Sequence, residues 1–147
     1  MLKTLLVEDN VPFRNVLKSE LLYRFPGSEV IEADSGESAL IKGKDRSPDL
    51  VLMDVRLPGQ NGFEITRKFK AVRPDTPVII LTSYNLAEYR DAASQCGANG
   101  FIGKDSLDWG EITTLVECCQ RAKPQGRPPV CIQLMNGDFP LSAFSYG

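Results

Sequence analysis

Asp49-Leu50-Val51-Leu52-Met53-Asp54-Val55-Arg56-Leu57-Pro58-Gly59 is the stretch that decides the fold. Four apolar residues run without a polar break and stop at an acid. A strand with one wet face alternates apolar and polar residues, whereas an unbroken apolar run marks a central strand covered on both faces. Beyond the acid, Pro58, Gly59, Asn61 and Gly62 read as a loop that leads into a helix over about Phe63–Val72. A second run of the same kind, Val78-Ile79-Ile80-Leu81, ends at Thr82. Upstream, Lys3–Val7 is strand-like and stops at Glu8-Asp9-Asn10, and Glu29–Ala33 reads as a further strand. Downstream, a short strand over Gly100–Gly103 runs into Lys104.

Helix-period segments fill the spaces between these runs. Val11–Arg24 fits a helix: Asn10 caps it, Pro12 suits its first turn, and Phe13, Leu17 and Leu21 recur every four residues. Pro26-Gly27 ends it. Ser35–Lys44 reads as a weaker helix, and Leu86–Cys96 as another. The last helix starts at Asp108, with Glu111 three residues on and a buried stripe of Ile112, Leu115, Val116 and Cys119. Five β-then-α units in series imply an α/β doubly wound fold, a parallel sheet with helices on both faces. Strand order cannot be read from periodicity. After Pro124 the character changes, so the expected division is a domain over 1–123 and a linker or C-terminal arm over 124–147. Val130–Met135 within that arm reads as a short strand.

Composition closes off several functions. The 147 residues contain no histidine, which excludes Ser–His and Cys–His couples and any His-containing zinc or haem site. The cysteines, Cys96, Cys118, Cys119 and Cys131, form no C-x-x-C pair, and read as incidental reduced thiols. A net charge of -2 gives no support to nucleic-acid contact or an anionic membrane surface. No apolar run approaches the roughly 20 residues of a membrane span. The acids at Glu8 and Asp9 come too early for a signal peptide, so the expected location is cytoplasmic.

Polar residues end four of the five strand-like runs: Glu8-Asp9, Asp54, Thr82 and Lys104. Ligands of open α/β sheets bind at the carboxyl ends of strands, so these residues are expected to meet at one rim. Three carboxylates at one rim repel one another unless a hard cation sits among them, and Mg²⁺ suits such a set. Asp54 is placed as a carboxylate nucleophile. Attack on phosphorus needs charge neutralised on the transferring oxygens, which Lys104 and the Thr82 hydroxyl can supply beside Mg²⁺. Nothing in the set activates water strongly. That pattern suits a persistent aspartyl phosphate and a switch, not a turnover enzyme. Taken singly, Glu8-Asp9 and Thr82-Ser83 would pass as helix caps, Asp54 as a loop acid and Lys104 as a solvated charge. Their joint placement argues for the site.

The chain resembles the receiver domain of two-component response regulators. The stretches that carry the likeness are Leu6-Val7-Glu8-Asp9-Asn10, Asp49 to Gly59, Asn61-Gly62, Ile80-Leu81-Thr82-Ser83 and Gly100-Phe101-Ile102-Gly103-Lys104-Asp105. The resemblance implies a flavodoxin-like (βα)5 fold with strand order 2-1-3-4-5. It implies that a sensor histidine kinase phosphorylates Asp54 in a phosphorelay. It further implies that Asp9, Asp54 and the Arg56 backbone carbonyl ligate Mg²⁺, with Glu8 acting through water. Thr82 and Phe101 match a switch pair, in which the hydroxyl moves to the phosphate and the ring turns inward. Arg56 and Tyr84, each two positions beyond a site residue, are expected to tune phosphoryl lifetime by restricting water. A homodimer formed on phosphorylation is a further family-level expectation.

Lys104 followed by Asp105-Ser106, where many receivers have proline, is most similar to receivers of helix-turn-helix transcription regulators. The expected output is transcription regulation through an effector domain absent from this chain, although a stand-alone receiver stays open. A hydrolase with an aspartyl-phosphate intermediate is the competing class. It commonly needs an acid two positions past the nucleophile, where Arg56 stands. A phosphorylation-independent scaffold is the third reading, and the complete acceptor set argues against it.

Overall fold

All five residues of the strand Leu50–Asp54 (β3) are buried, and the strand has a parallel neighbour on each side. The computed structural model describes residues 2–83, 87–105 and 108–122, with side chains described as far as Cys118. The 124–147 arm, including Val130–Met135, and the Cys119 side chain therefore lie outside the described residues. Around β3 the chain runs Lys3–Val7 (β1), Val11–Arg24 (α1), Glu29–Ala33 (β2) and Gly36–Arg46 (α2) before it. After it come Arg56–Leu57 (β4), Gln60–Asn61 (β5), Gly62–Val72 (α3), Val78–Thr82 (β6), Ala87–Gln95 (α4), Gly100–Gly103 (β7) and Trp109–Ala122 (α5). The main sheet is parallel in the order β2-β1-β3-β6-β7. With the two-residue strands β4 and β5 left out of the count, this is the flavodoxin-like order 2-1-3-4-5.

Alternate residues of the buried strands feed two separate cores. Leu5, Val7, Val51, Met53, Val78 and Ile80 pack on one side with Ile65 and Phe69 of α3 and Ala93 of α4. Leu6, Leu50, Leu52, Ile79 and Leu81 pack on the other with Leu17 and Leu21 of α1 and Ile112, Leu115 and Val116 of α5. Unbroken apolar strands are the sequence record of that arrangement, since both faces of the sheet are covered.

The local signals act as read. The Asn10 side chain accepts from the Phe13 N–H at 3.0 Å to start α1, and Ser35 caps α2 in the same way through Ser38. Asp108 accepts from Gly110 N–H at 2.8 Å to start α5. Between β3 and α3 the expected loop contains a tight hairpin: Arg56 and Leu57 pair with Asn61 and Gln60 around Pro58-Gly59. Gly59 sits at φ 67°, the left-handed value that the third residue of a type II turn demands. At the open edge of the sheet, Lys42 of α2 donates to the outward carbonyl of Glu32 at 2.5 Å. Arg14 and Lys18 hold the Glu32 side chain at 3.1 and 3.2 Å. Among the described residues no helix is long and apolar enough to cross a membrane.

Candidate functional site

Parallel strands bring their carboxyl ends to one rim, and the register decides which side chains meet there. Asp54 is the last residue of β3 and pairs with Leu81; Thr82 ends β6 and pairs with Gly103. Lys104 follows at once, its backbone N–H donating to the Thr82 carbonyl at 2.6 Å. Glu8 follows β1, its N–H donating to the Ala33 carbonyl at 3.0 Å. Residues 96 positions apart thus come into contact: Lys104 Nζ donates to Glu8 Oε1 at 2.7 Å and to Oε2 at 3.0 Å. The same ammonium lies 3.2 Å from Asp54 Oδ2.

Glu8, Asp9 and Asp54 offer carboxylate oxygens that all lie within 4.8 Å of one another. Asp9 is exposed, whereas Glu8 is fully buried and Asp54 is 5% exposed. Three hard oxygen donors at this spacing, with one arm open to solvent, fit a small divalent cation that keeps part of its water shell. Glu8 is pushed up to about 8 from 4.5, first by burial and then by the Asp54 carboxyl beside it, against the opposing pull of Lys104. A buried acid raised this far holds a proton near neutrality that a cation must displace.

The loop behind Asp54 is built for close approach. Gly62 N–H donates to the Val55 carbonyl at 2.7 Å, and a Cβ at Gly62 would run into the Asp54 backbone carbonyl. The Asp54 Oδ1 atom also accepts a long hydrogen bond, 3.4 Å, from the Arg56 N–H. The Arg56 side chain is exposed, and Tyr84 lies outside the described residues. Thr82 is 1% exposed and stands at the rim beside the acceptor strand. Phe101 is also 1% exposed, packed in the core formed with α3 and α4, as a core aromatic of an edge strand would be.

Phe13 has the spacing of a core residue, yet its half-buried ring lies 4.8 Å from Lys104 Nζ. Arg14 donates to the Glu8 carbonyl at 2.9 Å and to Glu32 at 3.1 Å, a role no motif in the sequence marks. The only signal for either is position: both lie in the first turn of the helix that follows the acidic pair.

The sequence matches the response regulator receiver domain family over residues 4–117, and the chain belongs to that family. Over 105 residues it is 37% identical to the response regulator GacA of Pseudomonas syringae pv. syringae, covering 71% of this chain and 49% of that protein. A two-component response regulator of the LuxR family from Aurantimonas sp. SI85-9A1 superposes with a TM-score of 0.73 at 30% identity, over 86% of this chain and 87% of that one. The response regulator TrrA of Thermotoga maritima, solved in complex with Mg²⁺-BeF, superposes with a TM-score of 0.71 at 32% identity, over 80% of this chain and 97% of that one. The chain spans about half the length of the curated relatives it matches.

Proposed function

We propose that Asp54 accepts a phosphoryl group from the phosphohistidine of a sensor histidine kinase and that this chain is the switch the transfer sets. The observation that carries the reading is the meeting of Asp54 with Lys104 at 3.2 Å inside a cluster that also contains Glu8 and Asp9. In the transfer, an Asp54 oxygen bonds to phosphorus while the donor's P–N bond breaks. The imidazole leaves with the electron pair and takes a proton from solvent. Negative charge on the equatorial oxygens then has to be met by preorganised charge and donors. Lys104 turns from Glu8 to one of these oxygens, and the Thr82 hydroxyl donates to another. Glu8, Asp9, Asp54 and the Arg56 carbonyl would hold Mg²⁺, which supplies charge neutralisation when bound.

The product is long-lived because the chain has no histidine to act as a base on water, and Arg56 stands two positions past the acceptor. The chain is thus a switch and not a turnover enzyme. Arg56 and Tyr84 lengthen phosphoryl lifetime by restricting water at the acceptor. Thr82 and Phe101 pass the change to the surface, where phosphorylation favours a homodimer. The names of the relatives, a putative transcriptional regulator among them, support an output in transcription, which we assign to an effector domain outside this chain. With a sensor histidine kinase as donor, the proposed location of the reaction is the cytoplasm.

Intact-mass analysis after treatment with acetyl phosphate and Mg²⁺ tests the acceptor directly. The wild-type chain should gain a base-labile, acid-stable adduct of ~80 Da. The Asp54→Asn chain should gain none, and equal labelling of the two would end the proposal.

A further inference from the structure

The Lys104 ammonium is held by groups whose state changes with the site. Its hydrogen bonds at 2.7 and 3.0 Å go to Glu8, and its ion-pair contact at 3.2 Å goes to Asp54. All three oxygens belong to residues that a cation or a phosphoryl group would engage. The four-carbon stem of lysine is flexible, and ordering it costs rotamer entropy. A site that needs this charge beside Asp54 both before and after Lys104 turns from Glu8 is served by a contact that does not change with ligation.

Phe13 provides one. Its ring centroid is 4.8 Å from Lys104 Nζ, inside the roughly 6 Å within which a cation is drawn to an aromatic face. The ring is placed independently of the carboxylates. Its backbone N–H is fixed by the Asn10 cap at 3.0 Å, and its side chain packs against the core that contains Leu17, Leu21 and Ile112. We propose that Phe13 is a positioning residue for phosphoryl transfer: its ring holds the Lys104 ammonium at the Asp54 acceptor when the carboxylate contacts are given up. The proposal rests on the phosphoacceptor reading of Asp54. It goes beyond that reading by assigning work to an apolar residue of the first helix. Leucine at this position would fill the same side of the core but present no π face to the charge.

Two measurements on Phe13→Leu and Phe13→Tyr test it. The first is the NMR resonance of the Lys104 ε-methylene in metal-free protein, assigned by its loss in Lys104→Met. Ring current should displace it upfield in the wild type and in Phe13→Tyr, and the displacement should vanish in Phe13→Leu. The second is the initial rate of labelling by acetyl phosphate with Mg²⁺, followed by intact mass over a range of donor concentrations. The maximal rate of Phe13→Leu should fall about 3–10-fold, and Phe13→Tyr should stay within about twofold of wild type. An undisplaced wild-type resonance, a Phe13→Leu rate equal to wild type, or a Phe13→Tyr rate as low as that of Phe13→Leu each overturns the proposal. Failure of the wild-type chain to label overturns the phosphoacceptor reading and the transfer role with it. That failure is told apart because the Lys104 resonance is read without donor or metal.

Discussion

Met53 and Asp54 are adjacent on β3 and nearly equal in burial, at 0% and 5% exposed. Met53 packs among aliphatic side chains that need nothing from it but volume. Asp54 lies beside Glu8, Asp9 and Lys104, and its environment is tolerable only while charges balance. Isolated buried charge is costly and well-packed apolar contact is not, so the sheet interior is built for stability and its carboxyl rim against it. Stability and function therefore separate along a single strand, and substitutions on the two sides should have opposite signatures.

The sharpest break is Asp54→Asn, which should abolish phosphoryl labelling while the melting temperature holds or rises, because Glu8 then ionises more easily against Lys104. A thermal melt run beside the mass measurement checks this, and a clear fall in melting temperature would make Asp54 a structural residue. Two residues into the interior, Leu52→Ala should cost about 2–5 kcal/mol in urea unfolding and leave Mg²⁺ binding intact well below the melting point. Proton linkage refines the contrast at the rim. Because Glu8 is raised in the folded state to about 8 from 4.5, the folded chain binds more protons than the unfolded one between those values. The stability of the metal-free protein should therefore fall as pH rises from 4.5 through about 8, and Mg²⁺ affinity should climb over the same window. Urea midpoints that rise with pH across that window would reverse the sign. The smallest effect should come from Glu64→Gln. Its pair with Arg67 is more than half exposed on both sides, and its loss should change stability by no more than about 0.5 kcal/mol.

Much of this contrast was legible in the residues themselves. The apolar run before Asp54 announced a strand covered on both faces, and the strand lies between two parallel neighbours. Glu8, Asp54 and Lys104 were legible because each follows an apolar run, and the parallel sheet brings such ends together. The α1 boundaries followed from Asn10 and Pro12, whose effects are local and need no tertiary partner. Elements that depend on contacts elsewhere in the chain were harder to read. The β4–β5 hairpin has two residues per strand, too few for any periodicity, and looked like plain loop. The α2 pattern is weak because Gly43 interrupts it, and the reason lies on α3, where a Cβ at that position would strike the Phe69 ring. Strand order came from family likeness and not from the pattern of residues. The contact of Phe13 with Lys104 was invisible because a core aromatic and a cation platform have the same spacing.

The Lys42 contact at the sheet's outer strand bears on how copies of this chain can associate. An exposed β-edge is a template on which a foreign strand can hydrogen-bond, and such templating leads to open-ended aggregation. Here an ammonium already occupies the Glu32 carbonyl, and a newcomer would have to strip it off beside the charged Arg14–Glu32–Lys18 group. A dimer built on helical faces would leave this guarded edge untouched, so pairing of that kind would not seed fibres.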